Sequence, residues 1–155
     1  MPASDKIDAL DKIIEYGYYG GANTATGLNV NEYTALQSVA VLACVRILAE
    51  TIASLPLKVY ERQAKGRRLA TDHHLYPILH KRPNPEMSSY KFKETLQGHL
   101  CTWGNAYSEI EWNMSNGTVK ALWPLRPDRM TVTRENGKLW YVYRLPDGRT
   151  VGLPA

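Results

Sequence analysis

Hydrophobic and polar positions change period several times along this chain, and each change predicts an element. Ile7, Leu10 and Ile14 give Asp5 to Tyr16 a short acidic amphipathic helix. The run of glycine, tyrosine, asparagine and threonine that follows disfavours any regular element, so residues 1–30 read as a flexible N-terminal arm. From Thr34 to Leu55, Leu36, Ala40, Ala43, Ile47, Thr51 and Leu55 form one helical stripe. Val39, Cys44, Leu48 and Ile52 widen it enough to predict burial on more than one side. Pro56 ends that helix, and Leu57 to Arg62 alternates as a strand. Ala64 to Arg68 reads as a charged loop. Asp72 to His80 reads as a short helix capped by Asp72 or His73, with Leu75, Ile78 and Leu79 inward and Pro77 expected to distort it.

The tract from Arg82 to Tyr107 organises the rest. Pro83 and Pro85 stiffen an extended entry, Ser88 is a candidate N-cap, and Met87 with Phe92 has the spacing of a hydrophobic staple. Phe92, Leu96, Leu100 and Trp103 make one helical stripe, and Gly104 suits a left-handed C-cap. A strand follows at once: Ala106, Ser108, Ile110 and Trp112 alternate with Tyr107, Glu109, Glu111 and Asn113. Turn signals at Asn116-Gly117, Asn136-Gly137 and Pro146-Asp147-Gly148 separate strands Val119–Trp123, Met130–Arg134, Leu139–Leu145 and Thr150–Leu153. The expected class is α+β: an antiparallel β meander packed by two main α-helices, over residues 31–155.

Composition changes this picture little. At 155 residues with 44% hydrophobic side chains, one globular domain with its own core is expected. Ten tyrosines and four tryptophans against one phenylalanine suit sheet surfaces and interfaces. The net charge of +4 is uneven, −3 over residues 1–40, +5 over 41–100 and +2 over the remainder. Cys44 and Cys101 lie in apolar helical patterns without a CxxC partner, so both read as buried free thiols. The most apolar stretch, Val39 to Leu48, is too short to span a membrane and contains Arg46.

Candidate chemistry is sparse. Asp72, His73, His74, His80 and His99 raise a metal site, but adjacent histidines diverge on a helix and no HxxxH or HExxH occurs, so no metal is assigned. Glu109 and Glu111 share a strand face, where like charge could raise a pKa. With no other group converging, an exposed polar face is the expectation. No GxSxG elbow and no phosphate-binding glycine loop is present. Lys65, Arg67 and Arg68 are the best candidates for nucleic-acid contact, though the cluster lacks interleaved aromatics in sequence. A small nucleic-acid-binding module using Lys65 to Arg68 is therefore the alternative to a structural role.

Four passages occur in order: VAVLACVRILAETIASLPLKVY, the RPNPEM entry, the GNAY exit and ALWPLRPDRMTV. Together, over about residues 33–150, they resemble the N-terminal wing region of bacteriophage portal proteins. The kind meant is the head–tail connector of long-tailed phages with Hong Kong-type capsids. The resemblance implies a structural protein without catalytic residues, metal or cofactor, in a usually dodecameric ring at the capsid vertex through which double-stranded DNA is packaged and ejected. Implied partners are other portal subunits, the major capsid protein, terminase and head-completion proteins, with no membrane. Implied locations are the virion and, during assembly, the host cytoplasm. The chain stops at TVGLPA, before the stem, clip and tunnel elements of the family, so it is expected to be an N-terminal fragment or a truncated gene product. Pro77 departs from the family, which more often has a polar residue there.

Overall fold

The computed structural model describes residues 22, 23, 29–135 and 137–154. The amphipathic helix expected over Asp5 to Tyr16 lies outside them. Two compact units divide between Val45 and Arg46. In the first, strands β1 (Ala22–Asn23) and β2 (Asn29–Val30) pair antiparallel, a short ladder in a stretch expected to be irregular. Asn31 then caps helix α1 (Glu32–Ala35). Its side chain accepts from the N–H groups of Tyr33 and Thr34, and Thr34 Oγ1 accepts from the Asn31 N–H, a reciprocal capping box.

The single helix expected over Thr34 to Leu55 is in fact two. After α1 the chain tightens into i→i+3 bonds, Gln37 N–H to Thr34 and Ser38 N–H to Ala35, before α2 (Val39–Ser54) begins. The expected burial on several sides is also corrected. Only Ala49 and Ala53, one turn apart, are buried on α2, whereas Ile47, Leu48, Ile52 and Leu55 are exposed. The larger side chains point away from this chain's own core.

In the second unit, β3 (Tyr60–Arg62) and β4 (Arg67–Leu69) form an antiparallel ribbon. The Ala70 N–H continues the ladder to the Val59 carbonyl at 2.9 Å. Arg67 and Arg68, expected in a loop, therefore lie on a strand. Helix α3 (Leu75–His80) tolerates Pro77 because the proline sits in the first turn, where N–H groups have no intrahelical partner. The N-cap is His74, which makes no side-chain cap bond, in place of the Asp72 or His73 cap expected; His73 Nδ1 accepts from the Leu75 N–H two residues on.

Helix α4 (Ser89–Trp103) follows its sequence signals closely. Ser88 accepts from the Lys91 N–H, and Gly104, at φ +70°, donates back to the Leu100 carbonyl. The double-proline entry is the tie point of this unit. Pro83 is fully buried, and its carbonyl accepts from the Leu122 N–H at 2.8 Å. The Asn84 side chain, also buried, donates to the Leu122 carbonyl and accepts from the Glu86 and Met87 N–H groups. Ser89 is buried too, donating from its hydroxyl to Leu79 and from its N–H to Lys81, which stitches α4 to α3.

Strands β5 (Tyr107–Asn113) and β6 (Thr118–Leu125) form a hairpin whose register slips between Glu111 and Trp112, leaving Lys120 as the extra residue. A 3₁₀ turn at Pro127–Arg129 leads to β7 (Met130–Glu135), β8 (Lys138–Arg144) and β9 (Thr150–Pro154), a three-stranded antiparallel meander. The hairpin strands are thus split between two sheets, since the 3₁₀ turn redirects the chain. The class is α+β. The buried apolar set is small: Ala49, Ala53, Ala70, Phe92, Ala121 and Met130.

Candidate interaction surfaces

The β3–β4 ribbon holds the candidate basic residues, and its register sorts them. Directly paired residues point to the same side of an antiparallel ladder. Tyr60 pairs with Leu69 and Arg62 with Arg67 on one face, while Glu61 pairs with Arg68 on the other. Arg68 is held there by Glu61 at 2.9 Å and Asp72 at 3.6 Å, which keep its guanidinium firmly charged. On the opposite face the Arg67 guanidinium lies 4.8 Å from the centre of the Tyr60 ring. Tyr60 thus supplies the aromatic partner that sequence adjacency concealed. Lys65 is exposed at the turn, which closes by Gln63 N–H to the Gly66 carbonyl, with Gly66 at φ +86°.

Two apolar surfaces remain open. Ile47 and Leu48 on α2 are 64% and 54% exposed and Leu55, just past its end, is 58% exposed, all on the side away from Ala49 and Ala53. On β5, Ile110 and Trp112 are both about half exposed. The cysteines follow the same logic, and their expected burial is corrected: both are exposed. Cys44 lies on the open side of α2. Cys101 Sγ accepts from Gln97 Nε2 at 3.5 Å across one helical turn. Leu100, expected in the packed stripe of α4, is also exposed.

The carboxylates and imidazoles are otherwise engaged. Glu111 is held below the usual carboxylate range by hydrogen bonds from Lys120 and from Trp123 Nε1 at 2.9 Å, the opposite of the upward shift acid–base work needs. Glu109 is exposed on the same strand. His73 and His74 stack with ring centres 4.4 Å apart, His80 Nδ1 lies 3.3 Å from the Leu57 carbonyl, and His99 meets the Trp103 ring edge-on at 5.7 Å. Burial lowers the His99 pKa, and its Nδ1 is buried without a hydrogen-bond partner. Among the described residues no three His, Cys, Asp or Glu side chains gather as a metal site, and no helix is long and apolar enough to cross a membrane.

Comparison with known proteins gives this arrangement its context. The family model described as "Phage portal protein" matches residues 39–155, from the first residue of α2 through all three sheets of the second unit. The chain belongs to the phage portal protein family. It is 32% identical over 131 residues to the portal protein of Enterobacteria phage HK97, covering 83% of this chain and 29% of that protein. It is 33% identical over 86 residues to protein BeeE of Escherichia coli (strain K12), covering 56% of this chain and 55% of that one. It is 35% identical over 102 residues to the probable portal protein of Streptomyces phage phiC31, covering 64% of this chain and 21% of that one. This portal-family chain therefore spans between about a fifth and about half of the length of these relatives. Its fold is shared with a chain in the neck of the empty GTA particle, computed with C6 symmetry. The TM-score is 0.61 at 24% identity, covering 79% of this chain and 32% of that one. A chain in the neck of the native GTA particle, computed with C12 symmetry, gives 0.60 at 20% identity, covering 94% and 37%.

Proposed function

We propose that this chain serves as the wing-like part of a structural portal protein, in a ring at one capsid vertex through which double-stranded DNA enters and leaves. The family match over residues 39–155 carries this reading. The open apolar faces of α2 and β5 support it, because a single chain with so small a buried core leaves surface for neighbours to cover. Other portal subunits are the first partners proposed, twelve to a ring. The major capsid protein, terminase and head-completion proteins follow. The role is one of holding and positioning, with no reaction catalysed, and residues 1–30 act as an arm beside a domain over residues 31–155. The site of action is the virion, after assembly in the host cytoplasm on a capsid of the Hong Kong type.

The test is a tagged copy of the gene in a producing strain, with purified particles labelled by gold-conjugated antibody. One label cluster per particle, at the tail-bearing vertex, is the expected result. Label spread over the shell, or absent from particles, overturns the reading.

A further inference from the structure

The two faces of the β3–β4 ribbon carry different chemistry. Arg68 on one face is ion-paired with Glu61 and Asp72. On the other, Arg62 and Arg67 stand directly opposite each other. Like charges facing across two strands, with Cβ atoms about 5 Å apart, disfavour the pairing. Among the described residues neither takes part in an ion pair, and neither does Lys65 at the turn. Arg67 lies over the Tyr60 ring, which restrains a flexible side chain on this face of the ribbon. An arrangement that costs the free protein stability, yet preorders its cations, suits an external polyanion.

The ribbon's form narrows the partner. It is a separate two-stranded sheet, joined by no third strand among the described residues. A two-stranded antiparallel ribbon is one of the shapes the DNA major groove admits. The basic face offers only Tyr60 and Leu69 as apolar neighbours, little of the apolar centre that protein–protein contacts carry. We propose that this face contacts the phosphate backbone of duplex DNA without regard to sequence. Arg62 and Arg67 are the paired phosphate ligands, Lys65 adds a third contact at the tip, and Arg68 is a positioning residue for the ribbon. The inference rests on ribbon geometry alone and goes beyond the portal reading.

Fluorescence anisotropy of the full chain with a labelled mixed-sequence 20-bp duplex, titrated across potassium chloride, tests it. Three phosphate contacts predict a slope of log affinity against log salt of about −2.7, or roughly 40-fold weaker binding at 200 mM than at 50 mM. Arg62→Ala and Arg67→Ala each reduce the steepness of that slope by about 1, and Tyr60→Ala weakens binding while Tyr60→Phe does not. Arg68→Ala leaves the slope unchanged. Arg144→Ala, which removes an exposed charge from β8, leaves both slope and affinity unchanged. Circular dichroism checks that each exposed-site variant is folded. No binding at 50 mM salt overturns the proposal, as does equal loss in Arg62→Ala and Arg144→Ala. Displacement by polyglutamate as effective as by DNA at equal charge assigns the face to an acidic protein and likewise overturns it. A negative result here leaves gold labelling at one vertex unaffected, so the two readings fail separately.

Discussion

Asn84→Ala is the substitution that most directly probes how the second unit is held together. The Asn84 side chain makes three hydrogen bonds from a buried position: Nδ2 donates to the Leu122 carbonyl at 2.8 Å, and Oδ1 accepts from the N–H groups of Glu86 at 3.0 Å and Met87 at 2.8 Å. The first bond ties the α4 entry to β6 across the fold. The other two shape the turn that delivers the chain to the Ser88 cap. Removing the amide strands the Leu122 carbonyl, at about 1–3 kcal/mol for a buried unsatisfied group. The two turn bonds add about 1 kcal/mol between them, because water reaches the exposed Glu86 side of the turn. The expected total is about 2–4 kcal/mol. With a urea m-value of about 1.5 kcal/mol per molar, the unfolding midpoint falls by roughly 1.3–2.7 M. Asn84→Asp keeps the Oδ1 acceptor of both turn bonds but sets the second carboxylate oxygen against the Leu122 carbonyl, so it loses at least as much. Equilibrium urea unfolding followed by tryptophan fluorescence reads both. A loss below about 0.5 kcal/mol for Asn84→Ala refutes the claim that this side chain fastens α4 to the sheet.

Other changes probe separate features of the chain. Gly104→Ala costs about 1 kcal/mol by backbone conformation alone, because an added Cβ meets nothing within 4 Å while φ is +70°; calorimetry should show a melting temperature lower by about 2–4 °C. His99 has its pKa lowered by burial, with Asp128 pulling up and Arg126 pushing down. The unfolded chain therefore takes the proton first. The contribution is intact above pH 6.5 and declines as pH falls from there towards the depressed folded value, so His99→Phe should flatten the acid limb of stability against pH below 6.5. The double change Ile47→Asp and Leu48→Asp alters exposed side chains, so monomer stability shifts by only about 1 kcal/mol from helix propensity. Incorporation into particles, measured by immunoblot of purified virions, is expected to be lost.

Local chemistry was legible in the sequence; long-range partnership was not. The Ser88 cap, the Gly104 C-cap and the hairpin turns were readable because each depends on a few neighbouring residues. The exposure of Ile47, Leu48 and Cys44 was hidden, since a 3.6-residue period reports that a face is apolar and says nothing about which chain covers it. The pairing of Tyr60 with the basic cluster was hidden by register, which sets Tyr60 and Arg67 on one face although seven positions separate them. The prolines of the RPNP tract signal stiffness in the sequence. The asparagine between them, a residue that favours turns closed by its own side chain, proved to be the fastening.

We propose that this chain is a repeating part of a portal ring. Electron cryomicroscopy of the particle vertex tests it most directly. Copies of the α4, β5 and β6 tract are expected around the tail axis, with the open face of α2 covered by neighbouring protein density. A vertex ring with no density for this chain, or the chain found off that axis, would contradict it.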